Sequence, residues 1–417
     1  MRIAIVNQFF APDLSPTAHL AASLARHRAE AGDEVTVVTG GSGYVPGADD
    51  VLAEVHDDAG HGGIRVIRLW TPAGGKATIA IRLAGYLSFH VGALWRMVTL
   101  APHDVVVSLT TPPYVVVAAL AHRLRNRRAR VVLWSMDCYP DAAERFGQLQ
   151  PGGLASRLLR RLNRFVLPRL AHVVCLDGAM LDLLRSQYAR PGRPPMSVIP
   201  NWEPAALFPP VAAAPDQAWP GWAEAGVDDR FRLLYLGNAG YGHRFDTVAA
   251  AARRLDPARH ALVFIGGGVR WDELEAARAD SAAAGGAPVV LRGYVPKDET
   301  PAVLAGAGAA LIVLDDEALG VMSPSKLHAS LAAGLPVVYV GPEGSNVDEA
   351  IATHGCGVSL RHGDVDGLVT ALDRLATDPA WHAQLSEAAR QAFDTGYSDV
   401  AVLPRWDAVL ADVAAGR

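Results

Sequence analysis

The chain has 417 residues, half of them hydrophobic, and a net charge of −5. That length suits two domains of ordinary size, each with its own core, and the near balance of charge excludes a general nucleic-acid binder. The charge is unevenly spread: residues 1–205 carry 22 Lys+Arg against 16 Asp+Glu, and residues 206–417 carry 16 against 27. A basic first half beside an acidic second half predicts that the first domain meets an anionic surface or substrate.

The first half reads as alternating strands and helices. Short β-branched runs predict strands at residues 2–7 (RIAIVN), 34–40, 64–69, 104–109, 130–135, 172–176 and 196–200. Helical stretches between most of them imply a parallel sheet covered on both faces. Met1 leads straight into the first strand, so no signal peptide is expected. The first strand-to-helix turn, NQFFAPDLSPTAH, lacks GxGxxG, which argues against a nicotinamide fold. No GxxxxGK[ST], HExxH, GxSxG or metal-ligand spacing occurs. Cys138, Cys175 and Cys356 form no CxxC pair, and Cys175, within HVVCL, reads as a buried thiol. A reduced, cytoplasmic protein is expected.

Residues 78–100 are the most apolar stretch, interrupted by Arg82, His90 and Arg96. About 13 apolar residues remain, below the roughly 18 that suggest a membrane span. The stretch reads either as a buried helix or as a helix lying on a membrane surface. Arg157, Arg160, Arg161 and Arg164 fall at i, i+3, i+4 and i+7, predicting one basic helical face with Leu and Phe opposite. Residues 122–130 (HRLRNRRAR) are a further basic cluster. Together these segments point to peripheral contact with an anionic membrane, at the inner face of the cell membrane.

Residues 203–229 are rich in Pro and Ala and show no strand, which places a linker at 205–229. Strand signals then restart at 231–237, 260–266, 288–293, 309–314, 336–341 and 357–360. The expected fold is α/β, with two Rossmann-like parallel-sheet domains, 1–204 and 230–397, facing a central cleft. A terminal helix at 398–417 completes the chain.

Three loops of the second half suit a phosphorylated ligand. In YLGNAGYGHR (235–244), Gly237, Gly240 and Gly242 let backbone approach a ligand, and His243 and Arg244 open the next helix. FIGGGVRWDEL (264–274) places Gly266 and Gly267 after a strand, and RGYVP (292–296) offers the backbone of Tyr294 and Val295. Either glycine loop is also compatible with a plain tight turn. The third loop, SPSKLHASLAAGLPVVYVG (323–341), predicts a helix capped by Ser323, with Pro324 first and Gly334 ending it. It puts Lys326, one of three lysines beside Lys76 and Lys297, in a first turn that already carries positive dipole. A cation there implies an anion.

RIAIVNQFFAPD, VVVSLTTPP, SMDCYPD, VIPNW, YLGNAGYGHRFDT, FIGGG, RGYVP and PSKLHASLAAGLPVVYVGPEGS occur in this order. Over nearly the whole chain they resemble the GT-B retaining glycosyltransferases of glycosyltransferase family four, in the polysaccharide subgroup of colanic-acid and O-antigen type. The resemblance implies transfer of a hexose from a UDP- or GDP-linked donor with retention of configuration, and no further cofactor or metal. It implies that the donor diphosphate meets Gly240, Arg244, Ser325 and Lys326, with His243 and Leu327 also among the donor-binding residues. The nucleoside would lie near Gly266, Gly267, Tyr294 and Val295, the acceptor near Ser15 and Thr17. Asp137, Arg244 and Lys326 become the catalytic candidates. A polyprenyl-diphosphate-linked sugar is the acceptor that suits the basic half. The Glu-x7-Glu pair common in the family would fall on Val321 and Ala329, and both carboxylates are absent. Leu14-Ser15-Pro16-Thr17 replaces the usual Gly-Gly. An inactive GT-B binding subunit and a nucleotide-sugar epimerase are the alternatives, with a two-domain periplasmic sugar receptor a third.

Overall fold

The apolar runs pair into two parallel sheets, as alternation with helices requires. The protein is seen in a computed structural model that describes residues 1–13, 15–41, 55–57, 63–72, 79–208, 219–296 and 299–416. Leu14, Lys76, Lys297 and residues 209–218 of the linker lie outside the described residues.

The first sheet holds β1 (Arg2–Val6), β2 (Glu34–Gly40), β3 (Val55–Asp57), β4 (Ile64–Leu69), β5 (Val105–Ser108), β6 (Arg130–Trp134), β7 (His172–Cys175) and β8 (Met196–Val198), in the order β3-β4-β2-β1-β5-β6-β7-β8. Seven strands run parallel; β3, which the sequence did not announce, pairs antiparallel with β4 at the edge. The second sheet holds β9 (Phe231–Asn238), β10 (His260–Gly267), β11 (Val289–Arg292), β12 (Ala309–Val313), β13 (Val337–Val340) and β14 (Gly357–Leu360), in the order β11-β10-β9-β12-β13-β14. Every pairing printed for it is parallel. Each sheet therefore presents all its parallel carboxyl ends on one edge, where such folds gather their loops.

The ends of the linker region are packed rather than loose. Phe208, Trp222 and Val227 are buried in the core of the second domain. The closing helix Asp399–Ala415 puts Val402, Leu403, Trp406, Leu410 and Val413 into the core of the first. Trp406 packs against Trp134 of β6 with ring centroids 4.6 Å apart, and Trp202 stacks on the same indole at 5.4 Å. His27 and Arg28 both bond Asp407, fastening this helix to Pro16–Glu30.

Several helices differ from their sequence reading. The Lys326 helix runs Lys326–Ala332 and starts two residues late, with Ser325 at the cap position and no side-chain cap. Ser323 instead bonds Asp177 of the first domain. Gly334 does end that turn, at φ +66°. Arg244 does not open a helix either, because the next one begins at Asp246. In the helix Leu154–Val166, Arg160 is drawn inward by Asp141, Glu144 and the Tyr188 hydroxyl. Leu154, Leu158 and Phe165 face outward beside Arg157, Arg161 and Arg164, so apolar and basic groups share one face.

The helix Ile79–Thr99 is apolar on both sides. Phe89, Ala93 and Met97 enter the core, while Leu83, Leu87, Val91, Leu94 and Trp95 stand in solvent, Trp95 at 73% exposure. His90 turns inward to the carbonyls of Tyr86 and Pro113, which leaves the outer stripe uninterrupted. Among the described residues no helix is long and apolar enough to cross a membrane.

Trp406→Ala is expected to cost about 3–5 kcal/mol, as for a large buried side chain. Urea unfolding of the full chain measures it, and hydrogen exchange would show early loosening of residues 399–415.

Candidate active site between the two domains

Two loops at strand ends meet across the interface. After β6, the Cys138 N–H donates to the Val321 carbonyl at 2.9 Å, and Asp137 bridges Met322 in antiparallel fashion. Arg145 reinforces the contact, donating to the carbonyls of Leu319 (2.7 Å) and Glu317 (3.1 Å). Gly242 fits here because a Cβ would collide with the Met322 sulfur. The interface therefore holds Asp137 of the first domain beside the loop that leads into Lys326.

Lys326 Nζ donates to the Asn238 carbonyl at 3.2 Å and to His243 Nε2 at 3.3 Å, and it lies 4.5 Å from the centre of the Tyr235 ring. No carboxylate partners it among the described residues. Burial pushes this ammonium down to about 7. His243 is buried and held well below its ordinary range by that burial and by the nearby Lys326 charge. His243 Nδ1 lies 3.0 Å from the Gly240 backbone nitrogen, whose N–H points at it, and 3.2 Å from the Gly240 carbonyl, which fixes the ring in place. The ammonium is half-buried and its partners are all neutral, so its charge is left uncompensated among the described residues.

The glycines around it have definite tasks. Gly237 has φ +122°, and a Cβ there would sit 3.5 Å from the Lys326 side chain. Gly266, at φ +146°, has no room for a side chain because the Gly237 carbonyl oxygen occupies that space. β9 and β10 thus run so close that their glycine turns form one floor. Gly267 lies against the Tyr294 ring, where a Cβ would approach to 3.1 Å. Gly240 lies between Asn238 and His243. Tyr294 is exposed and reaches Asn238 Oδ1 at 3.4 Å, while Val295 leans on the second core.

The remaining candidates are placed as follows. Arg244 is exposed and shared by Asp246 (2.8 Å) and Asp316 (3.8 Å). Ser325 is exposed, and the Leu327 side chain is fully buried in the second core, leaving only its backbone for a ligand. Ser15 caps the helix Pro16–Glu30, accepting from the Ala18 N–H at 3.3 Å, and Thr17 is half-buried in that helix's first turn. Asp137 is half-buried, its carboxylate has no partner among the described residues, and burial raises it to about 6. Its backbone N–H and that of Met136 both reach Thr110 Oγ1. At the absent Glu-x7-Glu pair, Val321 is buried with its carbonyl engaged by Cys138, and Ala329 packs on the second core.

Sequence reasoning passed over Asn238 and Tyr235. The Asn238 carbonyl accepts from Lys326 and from the Tyr235 hydroxyl (2.7 Å), so these two residues set the height of the ammonium. Their signal was a lone Asn directly after a strand that ends in glycine. Among the described residues no three His, Cys, Asp or Glu side chains gather as metal ligands.

Comparison with known proteins fits this geometry. Residues 17–202 match the glycosyl transferase 4-like domain family, and residues 230–378 match glycosyl transferases group 1. The chain is similar to the probable glycosyltransferase WbjE of Pseudomonas aeruginosa, 26% identical over 246 residues, 58% of this chain. That match spans only 59% of the length of WbjE. The fold is similar to sucrose-phosphate synthase of Thermosynechococcus elongatus, with TM-score 0.75 and 15% identity over all of both chains. It is also similar to Anabaena Alr3699/HepE in complex with UDP and glucose, with TM-score 0.71 and 13% identity over 99% of this chain and 100% of that one. The first domain is therefore of the glycosyl transferase 4-like family and the second of glycosyl transferases group 1, together in a GT-B fold.

Proposed function

We propose that the protein transfers a hexose from a nucleotide-sugar to an acceptor with retention of configuration, in cell-surface polysaccharide or glycolipid assembly. The observation that carries this reading is the Lys326 ammonium, half-buried on the glycine floor of β9 and β10 with only neutral partners among the described residues. A donor diphosphate is the anion that fits it. HepE, of the same fold, is a complex with UDP and glucose.

Departure of a nucleoside diphosphate builds charge on its phosphate oxygens. Lys326 stabilises that charge in a site where water competes poorly, and Arg244 adds to it on releasing Asp246. The leaving diphosphate itself takes the acceptor proton on the same face, so no protein base is required, and these cations supply the charge that a metal would otherwise bring. Asp137, facing the site from the first domain without a partner, supports the positive charge that develops at the anomeric carbon. Closure of the domains excludes water that would hydrolyse the donor.

A polyprenyl-diphosphate-linked sugar is the acceptor this reading favours, met at the inner face of the cell membrane. Support comes from the outer stripe of Ile79–Thr99 and from the exposed Leu154, Leu158 and Phe165 set among arginines. Leu87→Ser combined with Trp95→Ser should lower capture by anionic vesicles severalfold. Equal capture would remove the membrane from this reading.

Calorimetric titration with UDP and GDP tests the donor site. Bound diphosphate favours the charged form of Lys326, so affinity is full below about pH 7 and falls as pH rises through that value. Lys326→Ala should lose both the affinity and the pH slope, and turnover should drop by about 10²-fold. Binding indifferent to that substitution, or binding of neither nucleotide, would overturn the role of Lys326. Tight binding without turnover on any acceptor would favour an inactive binding subunit.

Asp137→Asn should lower turnover, and unchanged turnover would remove Asp137 from the mechanism. The carboxyl ionises near 3.8 when unfolded and at about 6 when folded. Its contribution to stability is therefore present below about pH 4 and lost as pH rises through 6. Asp137→Asn should stabilise the protein by about 1–2 kcal/mol at neutral pH, a discounted share of the shift because the group is partly exposed. The gain should vanish near pH 4 in thermal melts.

A further inference from the structure

A second cationic site lies at the opposite ends of the same strands. An open recess of about 650 Å³ is lined by Arg123, Arg127, Arg128, Arg130, Arg169 and Arg193. Arg130 is the first residue of β6, and Ala171, also in the lining, directly precedes β7. The recess thus sits at the amino ends of strands whose carboxyl ends feed the interdomain cleft. A five-residue strand separates the two edges by roughly 17 Å.

These six guanidiniums lack acidic partners. None is ion-paired with a carboxylate among the described residues. Arg123 donates to the Arg169 carbonyl at 3.2 Å, and Arg169 lies 3.6 Å over the Phe165 ring while donating to the Phe165 carbonyl. The loop that carries Arg127 and Arg128 is fixed, because Asn126 Nδ2 donates to the His103 carbonyl at 2.6 Å and Ala129 is buried. Among the described residues, the last turn of Asp399–Ala415, which carries Asp412, also lies nearby, and a Cβ on Gly416 would sit 2.9 Å from Arg130. A helix end contributes about half a charge, far short of six. Holding this much like charge around one concavity is unfavourable unless a multivalent anion occupies it. Guanidinium forks match phosphate oxygens, and the recess has the volume of a small-ligand site.

We propose that this recess binds a phosphate-type oxyanion carrying two or more negative charges, independently of the donor site in the cleft. The chemistry is that of a diphosphate or a phosphate headgroup. Two exposed apolar side chains are neighbours of its arginines: Leu124 follows Arg123 in the chain, and the Phe165 ring lies under Arg169.

The test removes the cleft cation first, so that failure of the donor reading and of this one are separable. Pyrophosphate is titrated calorimetrically into Lys326→Ala protein, and into the same protein carrying Arg127→Gln and Arg128→Gln. Both arginines are exposed, so the variant folds. Arg253→Gln with Arg278→Gln, an equal charge loss at exposed second-domain residues outside the recess and outside the membrane-facing helices, is the control. In parallel, vesicles of phosphatidylglycerol in phosphatidylcholine are sedimented with each protein. We expect the Arg127/Arg128 pair to weaken binding at least about tenfold and the control pair to leave it nearly unchanged. A loss with pyrophosphate but not with vesicles identifies a free phosphorylated ligand, and a loss with vesicles identifies a lipid headgroup. Binding to neither probe, or equal losses in both arginine pairs, would overturn the proposal.

Discussion

The cleft depends on one short run of backbone pairing between domains. Cys138 donates to Val321, Asp137 bridges Met322, and Arg145 holds two further carbonyls of the same second-domain loop. These contacts involve main-chain groups that would otherwise be left without partners in a closed interface. They fix the carboxyl ends of β6 and β12 against each other, so Asp137 and Lys326 enter the cleft from opposite domains. Gly242 permits the approach, because any side chain there would strike Met322. The closing helix, which follows the second domain in the chain, is anchored in the first through Trp406 against Trp134.

Electrostatics then separates the first domain from the second. In the cleft, the important charge is a single ammonium surrounded by a carbonyl, an imidazole and an aromatic face. Partial burial costs this ammonium solvation and lowers its affinity for a proton. A bound anion offsets that cost, which makes the site selective for a ligand that carries its own charge. At the far edge of the first sheet, charge is instead collected by number, through exposed guanidiniums that stay hydrated and crowd together. The two arrangements attract the same kind of group by different means. One uses a half-buried point charge and the other a dense, exposed field.

The outer face of the first domain shows how a buried and an exposed reading of one segment can both hold. Residues 78–100 were compatible with a core helix or a surface-lying helix. In the structure Phe89, Ala93 and Met97 fill the core while Leu87, Val91 and Trp95 remain in water. His90, which broke the apolar run in the sequence, is satisfied inside by two carbonyls and breaks nothing on the surface. The basic helix followed the reverse course. Its four arginines at helical spacing appeared to be one face, yet Arg160 is claimed by Asp141 and Glu144 from a neighbouring helix, and leucines take its place outside.

The sequence by itself determined the two parallel sheets. β-branched runs alternating with helices leave few other ways to bury both faces, and all thirteen strand segments expected from it are present in the described residues. It also determined that glycine turns and Lys326 lie at the carboxyl ends of the second sheet, because local order along the chain fixes which end of a parallel strand a loop follows. Tertiary structure decided what those residues meet. Ser323 looked like a helix cap and bonds Asp177 of the other domain; Arg244 looked free for a ligand and is held by Asp246 and Asp316. Asn238 and Tyr235 were unremarkable in sequence and became the supports of the ammonium. The edge strand β3 depends on three residues pairing with β4, too short a run to announce itself. The physical reason is common to all of these cases. Periodicity records which face of an element is buried, whereas a hydrogen bond or ion pair depends on partners that distant segments bring within about 3 Å.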